Sequence, residues 1–147
     1  MFSKIFLAPV VIMVLIVMNA NANCLKINGY FRERELISGH ETEAIREIKS
    51  DCNYIDYKLD DLDLHLIPGK VQRVFHGNSA YSEFRMVNFY SEGIVIQQIF
   101  FQKEIAKYKF EMRFFKKDSG QFYVIRTRLD FPDKISSAVT ELNPVHI

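Results

Sequence analysis

From residue 54 onward, apolar and polar positions alternate with a period of two. Ile55, Tyr57 and Leu59 alternate with Asp56, Lys58 and Asp60; Leu62, Leu64 and Leu66 then alternate with Asp63 and His65. Such alternation marks a strand with one face on a core. The phase slips by one residue at Asp60-Asp61, which predicts a bulge or sharp bend between two short strands. Pro68-Gly69 marks a turn. Further strands are expected at 71–76, 82–90, 94–102, 107–116 and 121–131. Between Arg32 and Ser50 the spacing fits a helix instead, because Leu36, Ile37, Ala44, Ile45 and Ile48 share a helical face. Ser38 and Glu41 have capping-box spacing, and Gly39 weakens the run. A short last helix is expected near 134–142.

The last two strands can be set in register. Tyr108, Phe110, Met112 and Phe114 share one face of the first, and Tyr123, Ile125, Thr127 and Leu129 one face of the second. A four-residue loop, Lys117-Asp118-Ser119-Gly120, then sets Phe114 opposite Tyr123, Met112 opposite Ile125 and Phe110 opposite Thr127. On the other face Glu111 meets Arg126 and Lys107 meets Asp130, both pairs of opposite charge. The strand at 94–101 is apolar on both faces: Ile94, Ile96 and Phe100 on one, Val95, Ile99 and Phe101 on the other. It is expected to be central and covered twice, or to carry an interaction surface such as a homodimer contact.

The expected fold is therefore α+β, one N-terminal helix packed on a curved antiparallel sheet of four to six strands. That element order, over about 30–131, is similar to the cystatin-like and nuclear-transport-factor-2-like folds, in which a bent sheet cradles a helix. The alternative is a small β-barrel resembling the lipocalins, although the chain has no Trp and so lacks the usual barrel-opening tryptophan.

Lys4 is the only charge before Lys26, and an apolar run extends from Ile5 through Met18. Ala20 and Ala22 follow as an A-x-A cleavage signal, the layout of a secretory signal peptide. The apolar run as a helix spans about 21 Å, short of the roughly 30 Å hydrocarbon core. Residues 1–22 are read as a cleaved signal and 23–147 as one globular domain. No stable membrane anchor is expected after cleavage, and the expected location is the periplasm, with secretion as the alternative. A lipoprotein signal needs a Leu-like residue three before its cysteine, where Asn21 stands ahead of Cys24. Cys24 and Cys52 are an even count in an oxidising compartment and predict one disulfide.

Removing the signal leaves 18 Lys and Arg against 18 Asp and Glu. A zero balance gives no long-range attraction for DNA or RNA, so nucleic acid is not an expected partner. The balance conceals an asymmetry: 101–130 holds eight bases against four acids, and 31–70 ten acids against six bases. Lys109, Arg113, Lys116, Lys117, Arg126 and Arg128 form the candidate partner surface, suited to an acidic protein or an anionic envelope polymer.

Catalytic chemistry finds little support. His40-Glu41 opens like a zinc-protease H-E-x-x-H, but Ala44 stands at the second His position. His65 reads as the solvent side of a strand. Asp56, Asp60, Asp61 and Asp63 lack the turn glycine and closing Glu of a calcium loop. Gly77-Asn78-Ser79-Ala80-Tyr81 departs from a nucleophile elbow at its last position and precedes a strand rather than a helix. No catalytic residue, cofactor or metal is expected. The expected function is an exported, non-enzymatic protein that binds another protein, either an accessory factor of surface assembly or secretion or an immunity protein against a periplasmic toxin. Two alternatives are a carrier of a small apolar ligand on the concave sheet face, through Phe84, Phe100, Phe110, Phe114 and Tyr123, and a hydrolase.

Overall fold

A computed structural model describes residues 24–77 and 80–147. The expected signal, residues 1–22, lies outside the described residues. Ten strands run in order: β1 (Asn28–Glu35), β2 (Arg46–Ser50), β3 (Ile55–Leu59), β4 (Leu62–Leu66), β5 (Gln72–His76), β6 (Tyr81–Tyr90), β7 (Gly93–Gln102), β8 (Ile105–Lys116), β9 (Phe122–Asp130) and β10 (Lys134–Pro144). All belong to one antiparallel sheet of order β4-β3-β2-β1-β10-β9-β8-β7-β6-β5. Each strand therefore neighbours the next in sequence except at β4 to β5, and the first strand pairs with the last. This is an up-and-down meander curled into a nearly closed barrel. β4 and β5 are its two edges, and β4 comes close to β6 across the seam. The Gln72 side-chain amide on β5 donates to the His65 carbonyl on β4 at 2.5 Å, satisfying part of the unpaired edge.

The fold is thus all-β, and the expected α+β layout is corrected: no helix occurs among the described residues. The stretch read as a helix is β1, a loop over 36–45, and β2. Its supposed apolar face is exposed at Leu36, Ile37 and Ile45. The residues that turn inward instead alternate, as Phe31 and Glu33 on β1 and Arg46, Ile48 and Ser50 on β2. Two of those inward positions carry charge, which hides a period of two from any hydrophobic count. Ser38 caps no helix: its hydroxyl donates to Glu35 at 2.5 Å and accepts from the His40 amide at 3.2 Å inside a turn, and Gly39 sits at φ +72° there. The expected last helix is β10. The barrel alternative is the closer description, and the cystatin-like and nuclear-transport-factor-2-like layouts are set aside.

The strands expected after residue 54 are present, and the slip at Asp60-Asp61 is a two-residue turn with Asp60 at φ +49°. The β8–β9 register is one residue away from the expected one. Phe114 faces Val124, Met112 faces Arg126 and Phe110 faces Arg128. The loop spans 117–121, closed by the Lys117 amide on the Gln121 carbonyl at 3.0 Å. A one-residue shift turns the whole strand over. Arg126 and Arg128 therefore point inward, and Tyr123, Ile125 and Leu129 outward.

Two ends of the barrel are distinguishable. At one, the disulfide end, lie Cys24, the turns 51–54, 67–71, 91–92 and 117–121, and the C-terminal segment. Inward positions toward this end are apolar, including Ile27, Phe31, Ile48, Ile55, Leu66, Ile94, Phe114, Val124 and Leu142, all buried. Each such side chain contributes about 1.5–3 kcal/mol by leaving water. Tyr57 and Phe114 meet at 6.0 Å and Phe31 and Phe122 edge-to-face at 6.2 Å, so aromatic rings fill the middle. Cys24 and Cys52 are bonded, with Cα atoms 5.6 Å apart, and no cysteine remains free. The bridge ties the N-terminal segment to the β2–β3 turn, as the cysteine count predicts.

At the other, distal end lie the loops 36–45, 60–61, 103–104 and 131–133, and the ends of β5 and β6 that bear His76 and Tyr81. Here several inward positions turn polar, Glu33, Arg46, Glu83, Arg85, Gln98 and Arg126, beside the aromatic rings of Phe100, Tyr108 and Phe110.

Candidate functional site

The polar interior is self-contained. Glu33, 3% exposed, receives both terminal nitrogens of Arg126, the Thr140 hydroxyl at 3.0 Å and an ion pair from Arg46 at 2.5 Å. Burial pulls the Arg126 guanidinium toward neutrality, but the hydrogen bonds and charge of Glu33 outweigh it and hold its pKa above the ordinary arginine value. Glu83, also buried, is met by Arg85, by Gln98 at 3.4 Å and by His76 at 3.4 Å. Glu33 and Glu83 are each paired and hydrogen-bonded, as burial requires, and the buried Glu141 is paired with Arg34. Neither Glu33 nor Glu83 offers a free group to a substrate.

The six bases read as one partner surface are divided among different faces. Lys109 and Arg113 lie on the outer face of β8, both beside Glu111, at 3.6 and 3.2 Å. Lys116 lies over Phe122 and Lys117 over Tyr123, at the disulfide end. Arg126 and Arg128 share the inner face; Arg126 is held by Glu33, and Arg128 binds Asp130 at 2.9 Å and stacks over Tyr108 at 4.1 Å. The five aromatics of the carrier reading are divided too: Phe100, Phe110 and Phe114 face in, Phe84 and Tyr123 out. On β7, Ile94, Ile96 and Phe100 point inward and Val95, Ile99 and Phe101 outward, while β6 and β8 occupy both of its edges.

The outer face of β6–β8 holds a groove of about 500 Å³ walled by Tyr90 and Phe115 over Gly93 and Val95. A Cβ on Gly93 would stand 2.7 Å from the Phe114 carbonyl oxygen, so that position admits no side chain. The groove's polar groups already engage one another: Gln97 donates to Glu111 at 2.9 Å and Arg113 to Glu111 at 3.2 Å. Partial burial pushes the Glu111 carboxyl up, but the Gln97 hydrogen bond and the charges of Lys109 and Arg113 prevail and hold it below the usual carboxylate range. His65 pairs with Asp56 at 2.5 Å on the outer face beside Tyr54. Among the described residues no group of three or more His, Cys, Asp or Glu is arranged to hold a metal ion.

The distal end is different, because large apolar side chains are exposed there, although the Tyr81 hydroxyl accepts from Gln102 at 3.1 Å and Arg73 lies over the Phe75 ring at 4.7 Å. Ile37 is 97% exposed, Ile105 62%, Ile135 67% and Phe131 43%. Leu36, Tyr81 and Phe75 are also exposed there. Leu36, Ile37 and Phe131 are on loops and the others on adjoining strands, and backbone bonds tie these segments to their neighbours. The Lys103 amide donates to the Ala80 carbonyl at 2.8 Å, Phe131 to Lys107 at 3.0 Å, and Leu36 to Val139 at 3.4 Å. These exposed apolar side chains therefore all lie at the distal end of the sheet. Behind them the interior is mixed, with the buried ion pairs of Glu33 and Glu83 beside the stacked rings of Phe100 and Tyr108 at 4.4 Å. Nothing in the sequence flagged this surface, because its members are scattered over two loops and four strands.

No protein-family model, curated protein or solved structure matches the chain. What fold and site define is a class: a disulfide-stapled, up-and-down antiparallel β-barrel-like protein with an apolar rim at one end.

Proposed function

We propose that this is an exported, non-enzymatic binding protein, working in the periplasm or outside the cell, whose distal rim engages another protein. One observation carries the reading: loops and adjoining strand ends at one end of the sheet expose several large apolar side chains, and exposed apolar patches mark interaction surfaces. Export is supported by the disulfide, which persists in oxidising compartments, together with the signal-like N-terminus. The carrier reading draws less support, since its aromatics are split between two faces and rings fill the barrel at Tyr57 and Phe114. Photo-crosslinking in the producing cell tests the proposal. A benzoylphenylalanine at 37, 105 or 131 is expected to give a discrete adduct with another protein, and one at 70 or 92 none. Absence of any adduct from the rim positions would overturn it.

A further inference from the structure

The charges around the rim specify the partner's chemistry. The four distal loops at 36–45, 60–61, 103–104 and 131–133 contain six acids, Glu41, Glu43, Asp60, Asp61, Glu104 and Asp133, against a single base, Lys103. The four turns at the disulfide end contain three acids against two lysines. Among the described residues, Glu104 pairs with Arg73 at 2.7 Å, and no cation lies within 4 Å of the other five acids. The acids are interleaved with the apolar tips: Glu41 and Glu43 share a loop with Ile37, Glu104 precedes Ile105, and Asp133 follows Phe131.

We propose that the distal rim docks a cationic, amphipathic protein segment, one that sets apolar side chains against Ile37, Ile105 and Phe131 and Lys or Arg beside the intervening carboxylates. This rests on the protein-binding reading above and adds the partner's charge to it. A second copy joined rim to rim would bring two strongly acidic surfaces together, which opposes self-docking. An anionic bilayer meets the same repulsion. Apolar burial supplies affinity at such a surface, and the carboxylates supply attraction and discrimination against acidic partners.

The chain contains no Trp, so the emission of a Trp-bearing probe peptide is seen without background. The probe is an amphipathic peptide of Lys and Leu with one Trp, its control the same peptide with Glu for Lys. Saturable binding of the Lys peptide, with blue-shifted emission and no binding of the Glu peptide, is expected. Affinity is expected to fall about tenfold or more at 1 M salt, where the Debye length is about 3 Å. The E41Q/E43Q/D133N variant is expected to bind about fivefold or more weakly, roughly 1 kcal/mol. The D51N/E92Q/D118N variant, which removes the three acids of the disulfide-end turns, is expected to bind as wild type. Equal weakening by both variants, equal binding of the Glu peptide, or binding to phosphatidylglycerol vesicles in preference to the Lys peptide would overturn the proposal. Rim crosslinks that persist in cells with E41Q/E43Q/D133N would overturn the charge inference alone and leave the protein-binding reading standing.

Discussion

The two ends of the barrel invert each other's polarity. At the disulfide end the interior is apolar and the turns are close to neutral, so exposed groups are solvated and buried ones packed. At the distal end the interior carries buried ion pairs beside aromatic rings, and apolar side chains are exposed on loops and strand ends among acids, of which, among the described residues, only Glu104 has a cation partner. Both ends arise from the same meander, so topology does not account for the contrast. The contrast teaches where stability and recognition reside. Burial of apolar area and a covalent link hold one end, while the other spends inward positions on buried ion pairs, which contribute little net stability.

Breaking the buried pairing should have the largest effect. Arg126→Met leaves Glu33 with Arg46 and Thr140 alone, and a loss of about 3–5 kcal/mol is expected from removing one partner of a buried pair. Urea unfolding measures it. The triple variant E33L/R46M/R126M should recover most of that loss, because no buried charge is then left unmatched. A single-variant loss of under about 1 kcal/mol, the scale of a surface pair, would show that the distal interior is open to water.

The disulfide comes next. Cys24→Ser and Cys52→Ser should each lower stability by roughly 2–4 kcal/mol, since the link closes a loop of about 29 residues. The double variant should be no worse than either single one, because both delete one link. Non-reducing mass spectrometry of the exported protein gives the direct check, and two free thiols would refute the bond.

A smaller effect is expected at Glu111, on the outer face between the two ends. Its folded pKa lies below its unfolded value, so its contribution is present above the ordinary carboxylate pKa of about 4.3 and is lost as pH falls through the lowered folded value. Solvent screening limits that contribution to about 1 kcal/mol or less. The stability difference between wild type and Glu111→Gln should therefore be present at neutral pH and shrink in acid. A difference that grew toward acid would contradict the sign.

The smallest effect on stability is expected at the rim itself. Ile37→Ser, Ile105→Ser and Phe131→Ser should each stay within about 0.5 kcal/mol of wild type, because these side chains are exposed and cover no core. The combined variant should nevertheless lose the rim crosslinks. A large destabilisation would mean that the apolar tips pack on the barrel rather than await a partner.

What the amino-acid sequence determined by itself is local. A period of two from Ile55 to Leu66, the turn residues at Asp60-Asp61 and Pro68-Gly69, and an even cysteine count suffice for strands, turns and one disulfide, because each depends on neighbouring residues or on composition. Tertiary structure decided which side of β1, β2 and β9 is the inside. Glu33 and Arg126 stand 93 residues apart in the chain, and only their pairing makes a charged position suitable for the interior. Hydrophobic pattern alone assigns charges to solvent, and so it reads β1 and β2 as a helix and turns β9 over by one residue. The rim was equally invisible, since Ile37, Ile105 and Phe131 come to the same end of the barrel only when the hydrogen-bonded sheet forms.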